Sequence, residues 1–245
     1  MVIILLSILA ILNGVGGSYA LPMFEDAHPG QDVFINVALN QIFYTTSLFC
    51  AVISLFVGLM SIANERNNGS LNILLSKPLF RVDLLIGKFC GVNSFLFVFI
   101  GFNILLSSLL IMIFFRAPLS TGEFLLRMGA YVTMLFLMCS LSTAISMFIG
   151  VIFKDLLQAS VVAITFFFID WYGYLTGYLG DLKYLSPRRL LITIFSGDGK
   201  ASLLDSTTPF FNWISSSSPY ILFILLEIIL TIIFSCMVFS RSDDC

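Results

Sequence analysis

Few side chains in this sequence are equipped for chemistry. Of its 245 residues 59% are apolar and 11% are charged. The charges concentrate in residues 62–92, where Glu65, Arg66, Lys77, Arg81, Asp83 and Lys88 mix both signs. Outside that island two carboxylates, Asp170 and Glu227, stand in long apolar runs. A carboxylate in such surroundings must take up a proton, pair with a neighbour or face water. Asp170 lies beside a group of aromatics and reads as interfacial. Glu227 reads either as a protonated acid bonded to a Ser or Thr of another segment, or as a polar point on a translocation path.

Other chemistries lack their residues. His28 is the only histidine, and the cysteines Cys50, Cys90, Cys139, Cys236 and Cys245 show no CxxC pairing. They read as small apolar side chains and one tail thiol, so no bound metal or disulfide framework is expected. No His, Asp, Glu or Cys cluster marks a catalytic constellation, so the chain is not expected to be an enzyme. Nucleotide binding through a phosphate loop needs GxxxxGK followed by Ser or Thr. The two Gly-Lys pairs, Gly87-Lys88 and Gly199-Lys200, are followed by Phe89 and Ala201 and lack the earlier glycine. No cofactor is expected on this chain, and no basic patch suggests nucleic acid.

The elements that hold these residues are long and greasy. Globular proteins carry about 25% charged residues, and no soluble fold of this length hides so much apolar surface. Runs of about 20 apolar residues match a bilayer core of roughly 30 Å. The segments are continuously apolar rather than alternating, which excludes a membrane β-barrel. The expected fold is therefore all-α: a polytopic membrane protein forming one transmembrane domain over residues 1–245. Six transmembrane helices are expected near residues 1–20, 37–63, 84–115, 124–153, 156–179 and 219–240.

Lysines and arginines tie at six on each side of the bilayer, but four of them (Arg66, Lys77, Arg81 and Lys88) crowd one short loop. Local density decides, so residues 64–83 and both termini are placed in the cytoplasm. Asn68-Gly69-Ser70 then faces the cytoplasm, and its match to a glycosylation triplet is chance. Ser18-Tyr19-Ala20 resembles a signal-peptidase site, yet residues 1–20 lack a basic leader and read as a first span. Residues 21–36 form an acidic outer loop. Residues 181–218 form a longer one, in which Pro187–Phe195 has the spacing of a short amphipathic helix. Gly197-Asp198-Gly199, Thr208-Pro209 and the run Ser215–Ser218 are loop chemistry. Trp171, Tyr172, Tyr174, Tyr178 and Tyr184 read as an interfacial belt.

Within the island, Asn67-Asn68-Gly69 should end the second span. Ser70 can cap a new helix over Leu71–Ser76, stopped by Pro78. Leu71, Leu74 and Leu75 then make one apolar stripe. On these residues alone the helix either lies on the membrane as a connector or docks into a groove on a soluble partner.

The run Glu65-Arg66-x-x-Gly69-Ser70-Leu71-x-x-Leu74-Leu75-Ser76-Lys77-Pro78, then Arg81 and Leu85-Ile86-Gly87-Lys88, resembles the motif of type-2 ABC exporter permeases. That family shows an acidic residue, then Gly-Thr/Ser-Leu, then Leu-Leu-Ser-x-Pro, a basic residue and Gly-Lys opening the third span. The resemblance implies that residues 64–83 are a cytoplasmic coupling helix between spans two and three. It gives Glu65, Arg66, Gly69, Ser70, Leu71, Leu74, Leu75, Lys77, Pro78 and Arg81 contact with an ATPase subunit, and makes the Lys154-Asp155 turn a secondary contact. It implies ATP and Mg²⁺ in that cytoplasmic ABC ATPase, a second permease copy, in the simplest case a homodimer, and a place in the cell membrane. One departure is expected: no basic elbow helix precedes span one in this sequence, either because the start is mis-assigned or because the elbow is absent. A secondary transporter would need broken helices and paired midplane charges, which this sequence lacks. A membrane anchor that holds an ATPase without transporting remains the other reading.

Overall fold

The computed structural model describes residues 33–67, 81–114, 120–153, 155–172, 184–199, 202–203 and 208–241, with Ile8, Ile11 and Leu12. Among the described residues the chain runs through six helices: α1 (Val33–Asn67), α2 (Arg81–Phe114), α3 (Thr121–Ile152), α4 (Leu156–Tyr172), α5 (Pro187–Ser196) and α6 (Phe210–Arg241). A helix satisfies its backbone internally, which is the condition for crossing hydrocarbon. At 1.5 Å per residue the 35 residues of α1 reach about 50 Å, well beyond a bilayer core.

Four helices are long and apolar enough to span, over Thr45–Ile62, Val82–Leu110, Thr121–Ile152 and Phe210–Ser240. Helix α4 is apolar but has only 17 residues. Apart from Ile8, Ile11 and Leu12, the expected first span lies outside the described residues, as do residues 173–179 of the fifth and residues 68–80 of the expected coupling segment 64–83.

Helix ends follow their sequence signals. Ser120 caps α3, its hydroxyl accepting from the Glu123 amide at 3.5 Å. Ser186 caps α5 in the same way through the Arg189 amide at 3.1 Å, and Pro187 fills the first helical position. The amphipathic segment over Pro187–Phe195 is thus helical, but most of it is enclosed: Leu190, Leu191, Ile194 and Phe195 are all buried.

Helix α6 corrects one expectation. It begins at Phe210, so Ser215–Ser218 are helical and not loop. Pro219 within it lacks the N–H that would reach the Ser215 carbonyl. The Ser218 hydroxyl donates to that carbonyl instead, at 3.2 Å. Ser216 bonds back to Asn212 at 2.7 Å in the same manner.

Burial ranks the helices. The most apolar 18-residue stretch of α3 is 72% buried and that of α6 only 17%. Helix α3 is therefore the central post. The exposed face of α6, with Leu222, Ile229, Phe234 and their neighbours, is suited to lipid.

The chain divides into two compact units: residues 1–50, 98–136 and 191–221, and residues 51–97, 137–190 and 222–245. In the first, Phe43 stacks on Phe195 with centroids 4.2 Å apart, and Tyr131 meets both rings. The Ile194 carbonyl at the end of α5 accepts from Trp213 Nε1 and from the Ser217 hydroxyl, each at 2.9 Å. In the second, Ile62, Leu85, Met147, Val151 and Phe239 form one apolar cluster. Leu55, Leu59, Ile149, Ala159 and Ala163 form another.

Candidate functional site

The island's own residues are only partly placed. Glu65 and Arg66 fall in the last turn of α1, and Arg81 is the first residue of α2. Gly69, Ser70, Leu71, Leu74, Leu75, Lys77, Pro78 and Lys154 lie outside the described residues. Asp155 is described and exposed. It occupies the short turn between α3 and α4, where its carbonyl accepts from the Ala159 amide at 3.0 Å.

What the structure does define is the frame that presents the island. The Lys88 ammonium on α2 donates to the Ser61 carbonyl on α1. Ile62 of α1 and Leu85 of α2 share the apolar cluster with Met147 and Val151 of α3. The two helix ends that flank residues 68–80 are therefore bound to each other and to the central post.

Close packing extends this frame. A Cβ on Gly58 would lie 2.1 Å from Ser146 Oγ and 3.1 Å from the Thr143 carbonyl oxygen. Only glycine lets α1 approach α3 this closely. Gly150 lies at ordinary contact distance from α1, 3.5 Å from the Leu59 carbonyl oxygen to its would-be Cβ. Asn93 of α2 accepts from the Ser140 hydroxyl of α3 at 2.6 Å, a polar tie between spans in the same unit.

Glu227 sits on α6 at intermediate exposure. Its Oε2 is buried and has no hydrogen-bond partner among the described residues. The Thr231 hydroxyl bonds the Glu227 backbone carbonyl at 2.8 Å, not its carboxylate.

Asp170 proves to be a structural acid. It is buried and accepts from the Ser186 hydroxyl, the same hydroxyl that caps α5. One residue on, the Arg188 guanidinium lies 4.9 Å from the Trp171 ring centre. Trp171 and its neighbouring acid thus fasten the end of α4 to the start of α5.

Sequence reasoning passed over Arg127. It counted as one outer positive among six, yet its side chain is fully buried. Its Nη2 pairs with Glu123 Oε1 at 2.6 Å and donates to the Thr208 carbonyl at 3.0 Å, while Nη1 donates to the Leu203 carbonyl. The Glu123-x-x-x-Arg127 spacing was the available signal for half of this. The backbone acceptors, more than 70 residues away, left none.

Among the described residues no group of His, Cys, Asp and Glu gathers to hold a metal ion. Among the described residues, Lys88 ties α2 to α1, and Glu227 on α6 carries one buried carboxylate oxygen with no hydrogen-bond partner.

The sequence profile of the family described as "ABC-2 family transporter protein" matches residues 2–243. Among curated proteins, none matches the chain.

Proposed function

This chain belongs to the ABC-2 transporter family, and from that premise we propose that it is the permease subunit of an ATP-driven exporter. It is a multi-pass membrane protein of a family whose membrane subunits normally work with an ATPase subunit. On our reading ATP and Mg²⁺ are held by that cytoplasmic partner, and a second permease copy completes the pathway. The chain resides in the cell membrane with both termini in the cytoplasm and six spans.

Residues 64–83 act as the coupling helix. Leu71, Leu74 and Leu75 dock into the ATPase, flanked by Glu65, Arg66, Gly69, Ser70, Lys77, Pro78 and Arg81. Lys154 and Asp155 add a smaller contact. Glu227 lines the route taken by the cargo.

The observation that carries this reading is the tie from Lys88 to Ser61 across the two helices that bear the motif. A connector that merely lay on the membrane would not require its two roots to be bonded together. A lever does, because force applied at its tip must turn both helices as one body.

Affinity purification of the full chain from its native membranes, followed by an ATP hydrolysis assay on the eluate, tests the proposal. Recovery of a phosphate-loop ATPase is expected. Eluates free of any nucleotide-binding protein would overturn it.

A further inference from the structure

The first unit contains a polar seam that the coupling role does not use. Asn103 on α2 is fully buried. Its Oδ1 accepts from the Thr46 hydroxyl on α1 at 3.4 Å. Its Nδ2 is also enclosed, yet has no hydrogen-bond partner among the described residues. Thr46 and Ser107 are fully buried as well, and Ser107 follows Asn103 by one turn of α2.

An enclosed amide donor without an acceptor carries a desolvation penalty, and hydrocarbon offers nothing in exchange. The neighbouring buried positions on α2, Leu96, Ile100 and Ile104, are aliphatic and incur no such penalty. A simple tie between α1 and α2 would be made as well by serine, which brings one donor rather than two. The tie to Thr46 uses only the acceptor of Asn103, so its amide donors point to an acceptor oxygen that enters from solvent. Buried waters characteristically settle among polar groups left unsatisfied by the protein.

We propose that Asn103 and Thr46 form a water-binding seam between α1 and α2. Its membership of a translocation path rests on the transport reading above; its hydration does not.

The experiment uses the full chain in membranes with its native cysteines replaced by alanine. Asn103→Cys, Thr46→Cys and the aliphatic control Ile100→Cys are each exposed to a cationic methanethiosulfonate reagent, with modification read by mass. The reaction needs a thiolate in contact with water, so Asn103→Cys and Thr46→Cys should react about tenfold faster than Ile100→Cys. Equal, negligible rates at all three positions would overturn the proposal. Should Asn103→Cys fail to reach the membrane, Thr46→Cys on the facing helix decides alone. No ATPase is required, so loss of the coupling reading would leave this result standing.

Discussion

Lys88 on α2 donates to the carbonyl oxygen of Ser61 on α1, closing the base of the polar island. Ser61 is itself turned into its helix, its hydroxyl bonding the Gly58 carbonyl at 2.7 Å. A charged donor on a backbone carbonyl makes a stronger bond than a neutral one. Replacing Lys88 by Met keeps the length and removes the donor. We expect Lys88→Met to lower stability by about 1–2 kcal/mol, read as a lower midpoint in a detergent thermal melt. Its effect on stimulation of the partner's ATP hydrolysis should be larger than the melt alone explains. Lys88→Arg should restore part of both.

The approach of α1 to α3 at Gly58 gives a second prediction. Gly58→Ala places a methyl group against Ser146 Oγ, a contact of 2.1 Å before relaxation. Overpacking of this kind costs about 1–3 kcal/mol. Adding Ser146→Ala removes the nearest atom, leaving the Thr143 carbonyl oxygen at 3.1 Å and Thr143 Cγ2 at 3.2 Å. The double variant should recover part of the loss, and a double-mutant cycle on the melting midpoints measures how much. Independent, additive losses would contradict the contact.

Arg127 supplies the third. Its guanidinium satisfies Glu123 and the carbonyls of Leu203 and Thr208 at once. Arg127→Met leaves those acceptors without their donor and should cost about 3 kcal/mol. Limited proteolysis should then open near residues 203–208 before the bundle melts. Arg127→Lys keeps the charge but not the planar fork, so an intermediate loss is expected.

These residues also mark how far the sequence could be read. Long apolar runs dictate membrane helices, because nothing else satisfies a backbone in hydrocarbon. The amphipathic spacing over Pro187–Phe195 announced α5. The start of α6 was hidden because Ser215–Ser218 and Pro219 are loop formers in water. In the bundle their hydroxyls bond back to helix carbonyls, and Ser218 serves the carbonyl that Pro219 cannot. Apart from Glu123, the partners of Lys88, Asn103 and Arg127 are long-range contacts, and three of the acceptors are backbone carbonyls. No side-chain pattern encodes those. The isolation of Glu227, by contrast, was visible at once, since a charge in an apolar run is conspicuous whatever the packing.

Glu227 yields the fourth prediction. With Oε2 buried and without a hydrogen-bond partner among the described residues, the carboxylate contributes little to holding α6 in place. Glu227→Gln should therefore leave the thermal melt within about 0.5 kcal/mol of the parent. It should lower export by the assembled transporter. Unchanged export would remove Glu227 from the path, and a large drop in stability would make it structural.

The central claim is that chemical energy enters through the island between α1 and α2. It is tested most directly by the pair Leu71→Asp and Leu74→Asp in the full chain, scored for co-purification of the ATPase. Both positions are on the expected apolar stripe, and a charge there should prevent docking into a partner groove. The account predicts loss of the ATPase from the eluate while the variant chain still reaches the membrane and melts like the parent. Undiminished recovery of the ATPase with both aspartates in place would contradict it.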